Sequence, residues 1–338
     1  MTTRVGFLGG GFIAHYHGKM LHTSDADATI AMVFDPDWAK ATAFAGASGA
    51  EIAASEDELL DRVDAVYVCT WTSEHPKLVA RVAEHGLPVF CEKPLATNLH
   101  DVEQMVDMVT RAGVVNQVGL VLRDSPAFLL LRELVHEPES GRVMGVVFRD
   151  DQFIPIQGMY ESTWRCDPAK VGAGTLIEHS IHDLDLLEFL FGEARSVTGR
   201  SAEFHPHDGI EDVVVATLAF SSGALATLVS VWHDILERPS LRRVEVFCEN
   251  AYFVLEGDVF GPVRWTRTGH SDAVVEGEAL LSELTARGIE TRNPDEAFIR
   301  SVERGTPAYP DFAEARRAHL LTDAIYRSAA DGGASIAV

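Results

Sequence analysis

Arg4-Val-Gly-Phe-Leu-Gly-Gly-Gly-Phe-Ile-Ala-His-Tyr-His17 is the stretch on which the fold turns. A short apolar strand, Val5 to Leu8, runs directly into a glycine cluster, and a helix-compatible segment follows. Set on the template Gly-x-Gly-x-x-Gly/Ala, the three positions are Gly9, Gly11 and Ala14. The first permits a tight turn, the second lets backbone approach a pyrophosphate, and the small third residue lets helix pack on strand. The amides of Phe12 and Ile13 then face the phosphates, at a helix N-terminus whose dipole favours negative charge. A second strand, Thr29 to Phe34, ends in Asp35. An acidic side chain there hydrogen-bonds a ribose 2′-hydroxyl and repels a 2′-phosphate. Pro36, Asp37 and Trp38 follow, with no basic side chain before Lys40. NAD rather than NADP is the expected dinucleotide.

The chain of 338 residues suggests two domains. Twenty-eight basic against fifty-one acidic residues leave a net charge of −23. Nucleic acid and anionic membrane are poor partners for such a surface, because both demand basic patches. No basic-then-apolar leader and no bilayer-length apolar run is visible. Cys69, Cys91, Cys166 and Cys248 form no C-x-x-C pair. Reduced thiols in a cytoplasmic protein are the expectation.

Through Leu122 apolar strands alternate with helical segments, the pattern of a doubly wound parallel sheet. The strands are Val5–Leu8, Thr29–Phe34, Glu51–Ala53, Ala65–Thr70, Val89–Cys91 and Val114–Leu120. Ser55 and Glu58 form a capping box, and Gly86 and Gly113 stand where helices should stop. The second half has strand-like runs that often alternate apolar with polar: Val143–Asp150, Val197–Phe204, Asp212–Phe220, Leu225–Trp232, Arg243–Cys248 and Tyr252–Leu255. Hairpin turns at Ser221-Ser-Gly223 and Glu249-Asn250 make it antiparallel. One long helix is expected from about Gly174 to Phe191, with trailing helices near Asp295–Arg304 and Phe312–Ala329. The expected fold is α/β: a Rossmann domain over residues 1–122, and an α+β domain with a large open, mostly antiparallel sheet over residues 123–338.

The fourth strand ends in Thr70-Trp-Thr-Ser-Glu-His75 and the fifth in Cys91-Glu-Lys-Pro94. Both lie at carboxyl ends of parallel strands, where ligands bind in open α/β sheets. With the glycine fingerprint, they resemble the Gfo/Idh/MocA family of sugar and cyclitol oxidoreductases, and Glu92-Lys93-Pro94 is the most telling match. The resemblance continues through Gln117-Val-Gly-Leu-Val-Leu-Arg123, the pair Trp164-Arg165, Gly172-Ala-Gly-Thr-Leu-Ile-Glu-His-Ser-Ile-His-Asp-Leu-Asp185 and a closing helix ending near Ser328. It implies NAD-dependent, reversible oxidation of a ring hydroxyl to a ketone in a sugar, inositol or related polyol. It also implies a homodimer or homotetramer formed through the C-terminal sheet. The family's catalytic lysine falls on Lys93, and its aspartate and histidine fall on Glu178 and His182. Glu178 departs from the more frequent aspartate, which puts direct substrate contact by its carboxylate in question.

The residues themselves support these roles. Oxidising a secondary alcohol needs a base for the hydroxyl proton, and histidine titrates near neutrality. Glu178 and His182 are i and i+4, so they share one helical face, and Asp185 continues that face one turn later. Lys93 could hydrogen-bond the reacting oxygen and stabilise alkoxide character. Thr70, Trp71, His75, Glu92 and Lys93 are expected beside the dinucleotide, Trp71 either stacking near the adenosine or capping its strand. Arg123, Trp164, Arg165 and His179 are the remaining candidates for substrate contact, while each arginine could equally serve a salt bridge. Glu178, His179, His182 and Asp183 cluster, but Glu-His-x-x-His is not a zinc-motif spacing, so no metal is expected. Two other readings of the same fold are a glycosidase or lyase that uses NAD for transient oxidation, and a ligand sensor without turnover.

Overall fold

The computed structural model describes residues Thr2–Val338 and divides into two compact units. The first comprises the chain through Leu120, with Ala169–Gly172 and Arg292–Arg317. The second comprises Val121–Pro168, Ala173–Thr291 and the chain from Ala318 onward.

In the first unit the elements alternate: β1 (Thr3–Leu8), α1 (Phe12–His22), β2 (Ala28–Phe34), α2 (Trp38–Ser48), β3 (Glu51–Ile52), α3 (Glu56–Leu60), β4 (Ala65–Val68), α4 (His75–Glu84), β5 (Val89–Cys91), α5 (Leu99–Ala112) and β6 (Asn116–Val118). All pairings are parallel, in the order β3-β2-β1-β4-β5-β6. The order reverses between β1 and β4, the switch point at which a doubly wound sheet opens a ligand crevice. β4 and β5 are buried at every position, as strands covered on both faces must be. Ser55 caps α3 by accepting from the Glu58 amide, while the Glu58 carboxylate accepts from the Ala54 amide, one residue earlier than a standard box. The last strand is shorter than the expected Val114–Leu120. At Gly119 the chain meets Glu92, whose carboxylate fills the space a Cβ would need.

The second unit adds α6 (Pro126–His136), β7 (Val143–Phe153), α7 (Pro168–Val171, shared with the first unit), α8 (Thr175–Glu178), α9 (Ile181–Phe191), β8 (Ala194–Ala202), β9 (Val213–Phe220), β10 (Leu225–His233), β11 (Leu241–Cys248), β12 (Ala251–Glu256), β13 (Val263–Arg267), β14 (Ala273–Val275) and α10 (Ala279–Ala286). Two further helices follow, α11 (Pro294–Arg304) in the first unit and α12 (Phe312–Ala330), and β15 (Ile336–Ala337) closes the chain. Nine strands form one sheet in the order β14-β13-β12-β11-β7-β10-β9-β8-β15, antiparallel except for β10 beside β7. Inward residues alternate along β9, β10 and β11 and pack with α6 and α9 into one core, which holds Phe148, Leu187, Leu218, Leu228 and Val246.

One expectation fails. The helix foreseen from Gly174 to Phe191 is two helices, α8 and α9, broken at His179 and Ser180. The Ser180 amide reaches back five residues to Thr175, and the amides of Asp183 and Leu184 then both bond Ser180. Beneath the break the sheet is polar. In register, Asp150 lies between Ser230 on β10 and Arg242 on β11. Ser180 Oγ donates to Ser230 Oγ (2.6 Å) and lies 3.2 Å from Asp150, which also takes His179 Nε2 at 3.2 Å. Side-chain bonds to this floor compete with helix continuation, as short polar side chains do.

Candidate active site

In the first unit the turn after β1 has the form the fingerprint requires. Gly9 has φ +98°, and a Cβ there would stand 2.5 Å from the Cys69 carbonyl oxygen. No other residue fits that approach. Gly10 is pressed against the Lys40 carbonyl on α2, and Ala14 is fully buried. Gly11 differs: a Cβ at this position would meet no protein atom within 4 Å. It is the N-cap of α1, has extended backbone and offers no capping side chain. A glycine with open space before it at a helix N-terminus suits close approach of a diphosphate to backbone amides. The Asp35 carboxylate closes the end of β2, its Oδ2 accepting from the Gly10 amide (2.9 Å) and its Oδ1 from Asp37 (2.8 Å). Lys40 lies 4.0 Å from Asp37, both well exposed. These residues fit NAD: a diphosphate seat at Gly11, Phe12 and Ile13, and a carboxylate rather than a cation at the ribose end.

Around the ends of β4 and β5 the outcome is mixed. Lys93 is partly buried and Trp71 is 37% exposed, with the Lys170 ammonium 4.6 Å above its ring. Thr70 is partly exposed beside it. His75 is internal. It is 1% exposed, and its ring nitrogens face the carbonyls of Pro94 (3.0 Å) and Thr70 (3.2 Å), clamping the two strand-end turns together. Glu92 is internal too: its buried carboxylate lies 2.9 Å from His17 Nε2 and takes the Lys93 amide at 3.1 Å. Both residues shape the site from beneath.

In the second unit, Glu178 ends α8 and His182 lies in the first turn of α9, so the two do not share the face of one helix. Glu178 is buried and accepts from Arg165 Nε at 2.8 Å, and the Arg165 guanidinium stacks 4.5 Å from the Trp164 ring. Arg123 makes the salt bridge that its chemistry allowed: buried, it grips both oxygens of Asp185 at 2.8 and 2.6 Å. His179 belongs to the polar floor. Its Nε2 faces both Asp150 and Arg242 Nη2 (3.2 Å each), and one nitrogen serves one of these at a time as donor or acceptor.

Sequence reading missed the charge that holds this floor. Arg242 donates to Asp183 (2.6 Å), Asp258 (3.0 Å) and Asp150 (3.2 Å). Burial pushes the Asp183 carboxyl up to about 7; Arg242 opposes the rise and neighbouring Asp150 adds to it. Asp150 is also raised, by burial first. The available signal was the inward parity of Asp150, Ser230 and Arg242 on adjacent strands, which needs the strand order before it can be used.

Comparison with known proteins gives the same fold and a lineage. Residues 3–120 match the family model described as oxidoreductase family, NAD-binding Rossmann fold, and residues 128–254 match the GFO/IDH/MocA C-terminal domain. The chain is 30% identical to a myo-inositol 2-dehydrogenase of Thermotoga maritima over 96% of each chain. It is 29% identical to an inositol 2-dehydrogenase of Rhizobium meliloti over 98% of each. A levoglucosan dehydrogenase solved with NADH and levoglucosan superposes with a TM-score of 0.85 over 100% of both chains, at 20% identity. End-to-end likeness to these dehydrogenases, with both domain models matched in order, makes the chain a member of the GFO/IDH/MocA oxidoreductase family.

Proposed function

We propose that the protein is an NAD-dependent dehydrogenase that interconverts a ring hydroxyl and a ketone of a sugar, inositol or related polyol. The observation that carries this reading is the 30% identity to a myo-inositol 2-dehydrogenase across 96% of both chains, in a sequence that keeps Glu92-Lys93-Pro94 and His182. The chemistry that bound NAD supplies is acceptance of hydride from the carbinol carbon. His182 takes the hydroxyl proton, since an imidazole holds or releases a proton near neutrality. Lys93 donates a hydrogen bond to the same oxygen and stabilises its developing negative charge. Glu178, buried against Arg165, supports the site without touching the substrate. Trp164 remains a candidate wall for the ring, held by the stacked Arg165.

The test is a panel of inositols, hexoses and sugar acids with NAD and NADP, following absorbance of the reduced nicotinamide. Turnover with a cyclitol or sugar and NAD is expected; cleavage of a glycoside without net reduction of NAD overturns the reading. Lys93→Ala and His182→Ala should each lower kcat about 10²–10⁴-fold while changing NAD affinity far less. Near-normal rates in both variants would remove the catalytic roles.

A homo-oligomer belongs to the same proposal. The outward face of the nine-stranded sheet exposes Val147, Val215, Leu225 and Phe247 around a shallow depression, an apolar patch that suits a second copy. Light scattering should return a dimer or tetramer, and a single-chain mass refutes this part. Among the described residues no helix is long and apolar enough to cross a membrane. The four cysteines are free thiols, which supports the cytoplasm as the compartment.

A further inference from the structure

A chain of three ionisable side chains lies in the interior of the first unit, and the chemistry proposed above does not use it. His17, in the second turn of α1, is fully buried. Its Nε2 is 2.9 Å from Glu92 Oε1 and its Nδ1 is 2.7 Å from Asp295 Oδ1. Asp295 is itself fully buried, in the first turn of α11, where Asn293 caps the helix and also donates to the Met20 carbonyl of α1. An imidazole that faces a carboxylate with each nitrogen donates to both only as the imidazolium. Burial opposes that charge, but the charge and hydrogen bond of Asp295, joined by those of Glu92, outweigh it and carry His17 to about 10. Glu92 is held below its ordinary value for the reciprocal reason. Burial raises it, while His17 and then Lys93 lower it by more. Its second oxygen accepts from the Lys93 amide at 3.1 Å. Gly119 leaves the room that this carboxylate occupies.

Two carboxylates and one imidazolium leave one negative charge, and the Lys93 ammonium makes the set of four neutral. Replacing such a trio by apolar side chains would cost the fold little, so stability alone does not account for it. What it does supply is a fixed carboxylate at the base of Lys93, tied to the helix that receives the diphosphate. We propose that His17 is a positioning residue for Lys93: by holding Glu92 ionised and in place, it keeps Lys93 oriented and protonated. This rests on the role given to Lys93 above. The other titratable groups facing the trio are Tyr16 on α1, Tyr67 on β4, and Cys69 and Cys91 at the ends of β4 and β5. Burial pushes all four upward, so they stay neutral across the working range.

The test reads Lys93 without any substrate. The pH dependence of Lys93 acetylation by acetic anhydride, followed by peptide mass spectrometry, is compared in the intact protein, H17Q, E92Q and the double variant. Without the imidazolium, buried Glu92 takes up a proton, so H17Q should behave like E92Q. In each the midpoint should fall by about one pH unit, the loss expected when an adjacent opposite charge is removed. The double variant should match the single ones, because both changes remove the same charge. The alkaline limb of kcat, measured on whichever polyol is turned over, should move by the same amount. A midpoint that is unchanged in H17Q, whatever E92Q does, overturns the proposal, as do effects that add in the double variant. Should H17Q fail to fold, His17→Asn takes its place in the same comparison. A protein that modifies Lys93 with the predicted shifts yet reduces NAD with no polyol would refute the proposed activity and leave this linkage standing.

Discussion

Arg242→Gln should unfold the second unit far more readily, and the loss should depend on pH in a direction the structure fixes. The guanidinium makes three ion pairs, with Asp183, Asp258 and Asp150. Asp258 is 41% exposed, so its pair is screened and contributes little. The other two carboxylates are buried, at 0% and 1% exposure. Breaking a buried pair from one side costs about 3–5 kcal/mol when the abandoned charge stays ionised. A carboxyl that can protonate escapes most of this and leaves a hydrogen-bond deficit of about 1–3 kcal/mol. In the intact protein Asp183 sits near 7, above its unfolded value of about 3.9. Between those values the folded chain holds more protons than the unfolded one, so the stability due to Asp183 declines as pH rises through the window. Removing Arg242 takes away the charge that opposes this rise, so both Asp150 and Asp183 go higher. The penalty in R242Q should therefore be near its full size at about pH 8.5 and smaller by about 2 kcal/mol at about pH 6. Urea unfolding of both proteins at the two pH values gives these differences directly. A penalty below about 1 kcal/mol, or one that does not change with pH, would show that the aspartates do not depend on Arg242 for their charge.

Two further outcomes concern the dinucleotide seat. Gly11→Val should leave the melting temperature nearly unchanged, because its Cβ enters open space, while NAD affinity measured by fluorescence titration falls at least about tenfold. Gly9→Ala should instead destabilise the fold, since its Cβ meets the Cys69 carbonyl at a positive φ; equal stability in both variants would contradict the two roles. Asp35→Ser should raise kcat/KM for NADP relative to NAD by at least about tenfold, and an unchanged ratio removes Asp35 from cofactor choice.

The first unit was legible because its signals are local. Gly9, Gly11, Ala14 and Asp35 carry meaning at fixed offsets from one strand, and β4 and β5 advertise two-sided burial by unbroken apolar runs. What stayed hidden there joins distant positions. His75 looks like one more polar residue beside a strand end until Pro94 and Thr70 are brought to its two nitrogens. His17 was visible inside the fingerprint, yet its partners lie 75 and 278 residues away. Arg123 was placed among two roles by its chemistry, and only the folded chain shows its bidentate grip on Asp185.

The error at α8 and α9 has a single physical source, and the same source bears on His182. Helix periodicity treats Gly174–Phe191 as an amphipathic segment lying on an apolar sheet. The sheet beneath is apolar where Leu228 and Val244 point inward, but one step along β10 and β11 it presents Ser230 and Arg242, with Asp150 between them. A continuous helix would forgo the bonds that His179, Ser180 and Asp183 make to this floor, at a cost of about 1–3 kcal/mol for each buried hydrogen bond left unmade. Breaking the helix at Ser180 brings its hydroxyl within reach of Ser230 and Asp150 and brings Asp183 to Arg242. His182 stands between the two anchored positions, three residues after His179 and immediately before Asp183. Its location is therefore set by the sheet through Asp150 and Arg242, and the i, i+4 spacing from Glu178 plays no part in it.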